Sequence, residues 1–99
     1  MSQNQKKKDL ELFTKVVLGL KNSNDVNEFL NLFLTESERE SVLKRYKILI
    51  CLLFHNSTQR EVSKSLNLSI SKVTAGSKAL KHTSQNMRKL LRFPQIQKL

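Results

Sequence analysis

The sequence predicts an all-α protein, and three features carry that prediction. Ninety-nine residues hold only two Gly and one Pro, too few turn formers for a sandwich or barrel. Apolar residues recur at three- and four-residue spacing over most of the chain, the period of an amphipathic helix. Asp25, Thr35 and Thr58, each followed three residues later by Glu, stand where such stretches begin, a helix-start signature. Hydrophobic residues make up 38% and charged residues 26%, which suits a globular fold and excludes a wholly disordered chain. The length fits a single domain with a small core.

Residues 1–7 are polar and basic and are expected to form a disordered arm. From Asp9, the residues Leu10, Phe13, Val16, Val17 and Leu20 make the first apolar stripe, and Asn22-Ser23-Asn24 breaks it. Asp25 and Glu28 resemble a capping pair for a short second helix carrying Val26, Phe29, Leu30 and Phe33. Thr35 and Glu38 form a stronger capping box for the longest helix, Glu36 to Phe54. Val42, Leu43 and Tyr46 are its expected inner face. Its second half, Ile48 to Phe54, is apolar on every side. Such a helix needs cover all round, more than two or three short helices can supply, so an obligate homodimer built around it is expected. Thr58 and Glu61 cap a fourth helix, Gln59 to Leu66, which Asn67 ends. Ser69 caps a fifth, Ile70 to about Lys81, and a turn at His82-Thr83-Ser84 starts a sixth. That last helix is expected to stop near Leu91, because the residue before Pro94 avoids the α region. A flexible tail is expected over 94–99, leaving 8–93 as one folded domain.

Charge narrows the function. The net charge is +10, and its placement is uneven. Residues 1–61 hold ten basic and eight acidic side chains, whereas residues 62–99 hold eight basic and none acidic. Glu61 is the last acid. A polyanion is the expected partner, drawn by counterion release and long-range steering. One Cys excludes an internal disulfide framework and fits a reducing compartment. No apolar run approaches the ~20 residues of a membrane span, and no apolar signal segment follows Lys6-Lys7-Lys8. A cytoplasmic location is therefore expected. Catalysis has no support: no Gly-rich loop, no nucleophile with an evident His–Asp pairing, and no carboxylate after Glu61.

Residues 59–81 have the pattern of a helix-turn-helix. Val62 and Leu66 supply the inner face of the first helix, Asn67 the turn, Leu68 the corner plug and Val73 the inner face of the second helix. Ser63 stands where the helices approach and a small side chain is wanted. Ile70, Ser71, Lys72 and Thr74 face outward on the second helix, short or flexible enough to enter a major groove about 12 Å wide. Gln59 and Arg60, at the first helix's N-terminus, would meet phosphate, aided by backbone N–H groups and the helix dipole. Lys64, Lys72, Lys78 and Lys81 extend the phosphate field. The candidate DNA-contacting set is thus Gln59, Arg60 and Ser63 with Ile70, Ser71, Lys72, Thr74 and Lys78.

Three separated motifs, Leu30-Asn31-Leu32-Phe33-Leu34-Thr35-Glu36-Ser37-Glu38-Arg39-Glu40, Gln59-Arg60-Glu61-Val62 and Ile70 to Lys81, resemble the tryptophan operon repressor family. The resemblance spans about residues 10 to 91. It implies a six-helix, intertwined homodimer that represses transcription from a pseudo-palindromic operator, with L-tryptophan as corepressor and no other cofactor. By this resemblance, the carbonyls of Leu32 and Leu34, with Thr35, lie near the ligand's amino group. Arg45 matches one of two arginines that sandwich the indole, and Gly76 the position where the second helix passes close to the ring. Two departures stand out. The second sandwiching arginine is Ala75 here, and a serine on the carboxylate side is Ala79. Losing one cation–π face costs about 0.5–2 kcal/mol, and losing a charge-assisted hydrogen bond roughly 1.5–3 kcal/mol. Lys72 replaces a small polar residue of the family, which raises non-specific DNA affinity.

Other readings stay open. A repressor-like protein could be tryptophan-independent or sense another ligand. A basic helical adaptor would bind polyanions with little sequence preference, using Leu90, Leu91 and Phe93 beside the C-terminal cations. Cys51 and His55 share a helix face at metal-ligand spacing, but the apolar run around Cys51 marks it as a core residue, so no metal is expected.

Overall fold

The computed structural model describes residues 2–96, and side chains up to residue 94. Among these residues there are six α-helices and no strand: α1 (Gln3–Leu18), α2 (Ser23–Phe33), α3 (Glu36–Phe54), α4 (Gln59–Leu66), α5 (Ile70–Lys81) and α6 (Gln85–Ile96). The expected all-α, six-helix architecture is present. The chain divides into two compact units, residues up to Ser37 and residues from Glu38 on, where the sequence reading treats 8–93 as one domain. Each unit has its own apolar centre.

In the first unit, Phe13, Phe29 and Phe33 form an aromatic trio. Phe13 meets Phe33 edge-on with centroids 5.2 Å apart, and Phe29 lies 4.8 Å from Phe33. Offset and edge-on geometries suit the ring quadrupoles. No residue of α1 is buried. Residues 3–7, expected as a disordered arm, are instead the opening turns of α1. Ser2 Oγ accepts from the Gln5 amide at 3.1 Å, and Gln5 Nε2 donates to Asp9 Oδ1 at 3.0 Å. Lys and Gln are good helix formers, so a cap suffices to carry the helix through a segment without an apolar stripe. The start of α2 also moves. Asn22 caps it, accepting from the Asp25 amide at 2.9 Å, while the Asp25 carboxylate accepts from the Lys21 amide. Asp25 is therefore the third residue of the first turn rather than the cap.

In the second unit, Ile48, Val62 and Val73 form a fully buried centre, with Cys51, Leu52, Leu66 and Leu68 packed against it. From Leu49 to Phe54 every side chain is half-buried. Val42 and Leu43, expected on an inner face, are exposed, because no element of this unit covers the first half of α3. At the far end, α6 docks through its arginines. Arg88 Nε donates to the Thr83 carbonyl and Nη2 to the Leu80 carbonyl, at the C-terminus of α5, where a cation is favoured. The Arg92 guanidinium sits 5.6 Å from the Phe54 ring centroid. The helix runs through Pro94 to Ile96, beyond the expected stop. Pro94 lies in the last turn, where its missing N–H costs one intrahelical bond and does not break a longer ladder. Of the expected flexible tail, 94–96 are helical, and 97–99 lie outside the described residues, as does Met1 of the arm.

Candidate nucleic-acid interface

Local capping fixes α4 before any packing is counted. Thr58 Oγ1 accepts from the Glu61 amide at 3.1 Å, and the Glu61 carboxylate accepts from the Thr58 amide at 2.9 Å. The bond from the Thr58 backbone, then that from its side chain, hold the Glu61 carboxyl below its ordinary range. At the other end Asn67 adopts φ 54 and ψ 48, the left-handed conformation that Asn tolerates best after Gly. The Leu68 amide then donates to the Ser63 carbonyl at 3.1 Å, and Ser63 Oγ donates to the Leu68 carbonyl at 2.6 Å. This pair locks the turn. Ser69 caps α5 by accepting from the Lys72 amide at 3.3 Å.

Val62 and Val73 meet across the two helices as the spacing predicts. One further tie holds the pair. Thr74 Oγ1 donates to Gln59 Oε1 at 2.7 Å across a half-buried gap. It joins the first residue of α4 to the middle of α5, and two of the candidate contact residues to each other. Ile70, Ser71, Lys72 and Lys78 are exposed on α5, and Arg60 is exposed on α4. Gln59, Ser63 and Thr74 are half-buried, and the Ser63 hydroxyl proton serves the turn. The exposed face of α5 is thus short-chained near its start and cationic at Lys72 and Lys78, on a scaffold whose relative helix positions are fixed by three hydrogen bonds and two buried valines.

The residues assigned to ligand contact fall in both units. Leu32 lies in the last turn of α2, where carbonyls lack intrahelical partners, and Leu34 is its extended C-cap. Leu32 and Thr35 are exposed, and Leu34 is half-buried. In the second unit, Gly76 is buried where α5 passes α3. A Cβ there would stand 2.8 Å from Ile48 Cγ2 and 3.7 Å from Arg45 Cδ, so Arg45 and Gly76 are neighbours. Beside them runs a groove of about 390 Å³ lined by Ser41, Val42, Lys44, Arg45, Ile48 and Lys72. Lys72 was placed at the duplex by sequence reasoning, which missed its share in this groove. A signal existed: Lys72 and Gly76 are four residues apart and so share a helix face. Ala75 and Ala79 are exposed. Among the described residues, no group of His, Cys, Asp and Glu is arranged to hold a metal ion.

These helices can be set beside known proteins. Residues 8–94 match the family described as Trp repressor protein. The chain belongs to the Trp repressor family. Similar relatives are Trp operon repressor homologs of three bacteria. That of Chlamydia caviae is 37% identical over 83 residues, 84% of this chain and 78% of the relative. That of Chlamydia trachomatis serovar D is 32% identical over 89 residues, 90% of this chain and 95% of the relative. The Xylella fastidiosa relative is 34% identical over 82 residues, 83% of this chain and 87% of the relative. The Trp repressor family consists of transcriptional regulators, not enzymes, in keeping with the absence of catalytic motifs in this sequence. No described helix is long and apolar enough to cross a membrane.

Proposed function

We propose that this Trp repressor family member is a sequence-specific DNA-binding repressor that works as a homodimer on a pseudo-palindromic operator. The observation that carries it is the locked α4–α5 pair, which presents the exposed face of α5 beside cations in a chain that has no acid after Glu61. In a dimer, two such helices would enter successive major grooves about 34 Å apart. Ile70, Ser71 and Thr74 would face base edges. Gln59, Arg60, Lys64 and Lys78 would meet phosphates. The Gln59 side-chain oxygen is taken by Thr74, which leaves its NH₂ group to donate to a phosphate.

Dimerisation rests on apolar surface. Leu10 is 64% exposed, Val16 52% and Leu43 59% in the single chain. On α1 Leu10, Val16 and Val17 recur at helical spacing, an apolar stripe that a second copy would bury. The reducing compartment implied by the lone Cys51 suits a cytoplasmic protein with access to the chromosome.

For the effector, L-tryptophan has support from family membership and from Arg45 beside Gly76 in the second unit. Ala75 and Ala79 favour a second reading, in which the protein is tryptophan-independent or senses another ligand. The test is fluorescence anisotropy on palindromic and scrambled duplexes, with and without L-tryptophan. A repressor prefers the palindrome at physiological salt. Equal affinity for both duplexes would return the chain to the class of general polyanion binders. Preference that tightens with tryptophan identifies a corepressor, by linkage. Preference indifferent to tryptophan supports the second reading.

A further inference from the structure

We infer that Thr74 reads the duplex as a hydrogen-bond acceptor only, and that Gln59 sets this polarity by taking the Thr74 hydroxyl proton. The inference rests on the regulator reading above and adds a rule for one base of its operator. The base that Thr74 faces carries an exocyclic amino group, adenine N6 or cytosine N4. Three observations carry it. Thr74 Oγ1 donates to Gln59 Oε1 at 2.7 Å, and a hydroxyl has one proton to give. A threonine in a helix commonly gives that proton to the carbonyl four residues back. Thr14 gives it to Leu10 and Thr83 to Ala79, at 2.7 and 2.9 Å, whereas Thr74 sends it across to α4. Thr74 also stands one turn from Ile70 and one turn from Lys78, both exposed, so the three share the face offered to a groove.

Gln59 Oε1 has no proton of its own, so the direction of the bond is fixed. A hydroxyl that already donates meets a further group through its lone pairs. In the major groove adenine N6 and cytosine N4 are donors, while guanine N7 and O6 and thymine O4 are acceptors. An acceptor-only Thr74 faces guanine or thymine lone pair to lone pair and forgoes a hydrogen bond there. A threonine with its proton free would suit either class. Gln59 touches no base in this scheme and is a positioning residue. Its NH₂ group at the phosphate and its oxygen at Thr74 put backbone contact and base readout in one hydrogen-bonded chain, in which each bond polarises the next.

The test uses the full chain and a duplex library with both half-sites randomised, bound at physiological salt and then sequenced. The parent should enrich adenine or cytosine at one position of each half-site. Thr74→Val keeps the shape and removes the hydroxyl, so it should flatten that position, and Thr74→Ser should keep it. Far-UV circular dichroism checks that each variant folds. Gln59→Glu retains an acceptor and should retain the preference, while its charge weakens binding to every duplex. Gln59→Lys offers only donors, so Thr74 accepts from it, its own proton turns to the groove, and the preference should move to guanine or thymine. On the selected duplex, the same base without its amino group should bind the parent about three- to tenfold more weakly and Thr74→Val equally well. The inference is overturned if the position that answers to Thr74→Val holds guanine or thymine in the parent, or if no position answers. It is also overturned if Gln59→Glu loses the preference, if Gln59→Lys leaves it unchanged, or if removing the amino group leaves parent affinity unchanged. Any of these results, with some sequence still enriched by the parent, removes the inference alone. No enrichment of any sequence removes the regulator reading and the inference with it.

Discussion

Gly76→Ala probes the contact on which the second unit is built. In an unobstructed helix, replacing Gly by Ala stabilises by about 1 kcal/mol. At this position the added methyl would stand 2.8 Å from Ile48 Cγ2, inside the contact distance of two carbons. Ile48 cannot swing aside cheaply. It is 1% exposed, and Cγ2 is fixed to a β-branched carbon that moves only by rotating χ1. Overpacking of this kind costs about 1–3 kcal/mol. The net expectation is a loss of about 1 kcal/mol, which lowers Tm by about 4–8 °C in a domain this size. The assay is thermal and urea unfolding followed by circular dichroism at one fixed protomer concentration, since any association shifts Tm. An unchanged urea m-value would confirm that the loss is one of stability. A double-mutant cycle sharpens the result. Ile48→Leu moves the offending methyl from Cβ to Cγ, a volume-conserving change that costs less than about 1.5 kcal/mol by itself. In that background Gly76→Ala should become neutral or stabilising, a coupling of at least about 1 kcal/mol. A single variant that is more stable than the parent, or a cycle without coupling, would refute the close approach.

The remaining expectations concern α4 and its ties. Because the Glu61 carboxyl is held below its ordinary range by its bonds from Thr58, its contribution to α4 is present above the ordinary carboxylate range and fades as pH falls through the lowered value; hydrogen exchange of the first-turn amides should show this acid step, and Glu61→Gln should abolish it. Thr58→Ala should cost about 1 kcal/mol of stability, read by urea denaturation, through loss of the cap. A Gln59→Ala and Thr74→Val cycle should give a coupling of about 0.5–1.5 kcal/mol for the 2.7 Å bond, and additive effects would mean that the bond adds nothing. Arg60→Ala should weaken binding to every duplex about equally and reduce the salt slope by about one, measured by anisotropy between 50 and 200 mM salt.

The central helices were legible because their ends carry strong local chemistry. Thr35 with Glu38, Thr58 with Glu61, Asn67 and Ser69 mark boundaries by hydrogen-bonding capacity alone; α3, α4 and α5 begin, and α4 ends, where these residues direct. The outer elements were less legible. Lys6-Lys7-Lys8 is polar on all sides, so periodicity gave no sign of the turns that Ser2 starts. Asp25 could equally be a cap or a third residue, and only the Asn22 bond decides. At the candidate site, the exposed face of α5 followed from helical spacing. The Gln59–Thr74 bond and the place of Lys72 beside Arg45 depend on how α5 crosses α4 and α3, which no single-helix pattern contains.

The α4–α5 pair also has a consequence for the order in which the chain finds its structure. Its main ties, Ser63 to Leu68 and Gln59 to Thr74, close loops of only five and fifteen residues. Closing a ~10-residue loop takes about 10–100 ns, and helical contacts of low sequence separation form early. Val62 and Val73 can meet Ile48 soon after. By contrast α1 buries none of its own residues, and it meets α2 through the contacts of Phe13 with Phe29 and Phe33. Refolding should therefore begin with a rapid phase in the second unit that is independent of protein concentration. The slower ordering of α1 should quicken as concentration rises if a second chain supplies its cover.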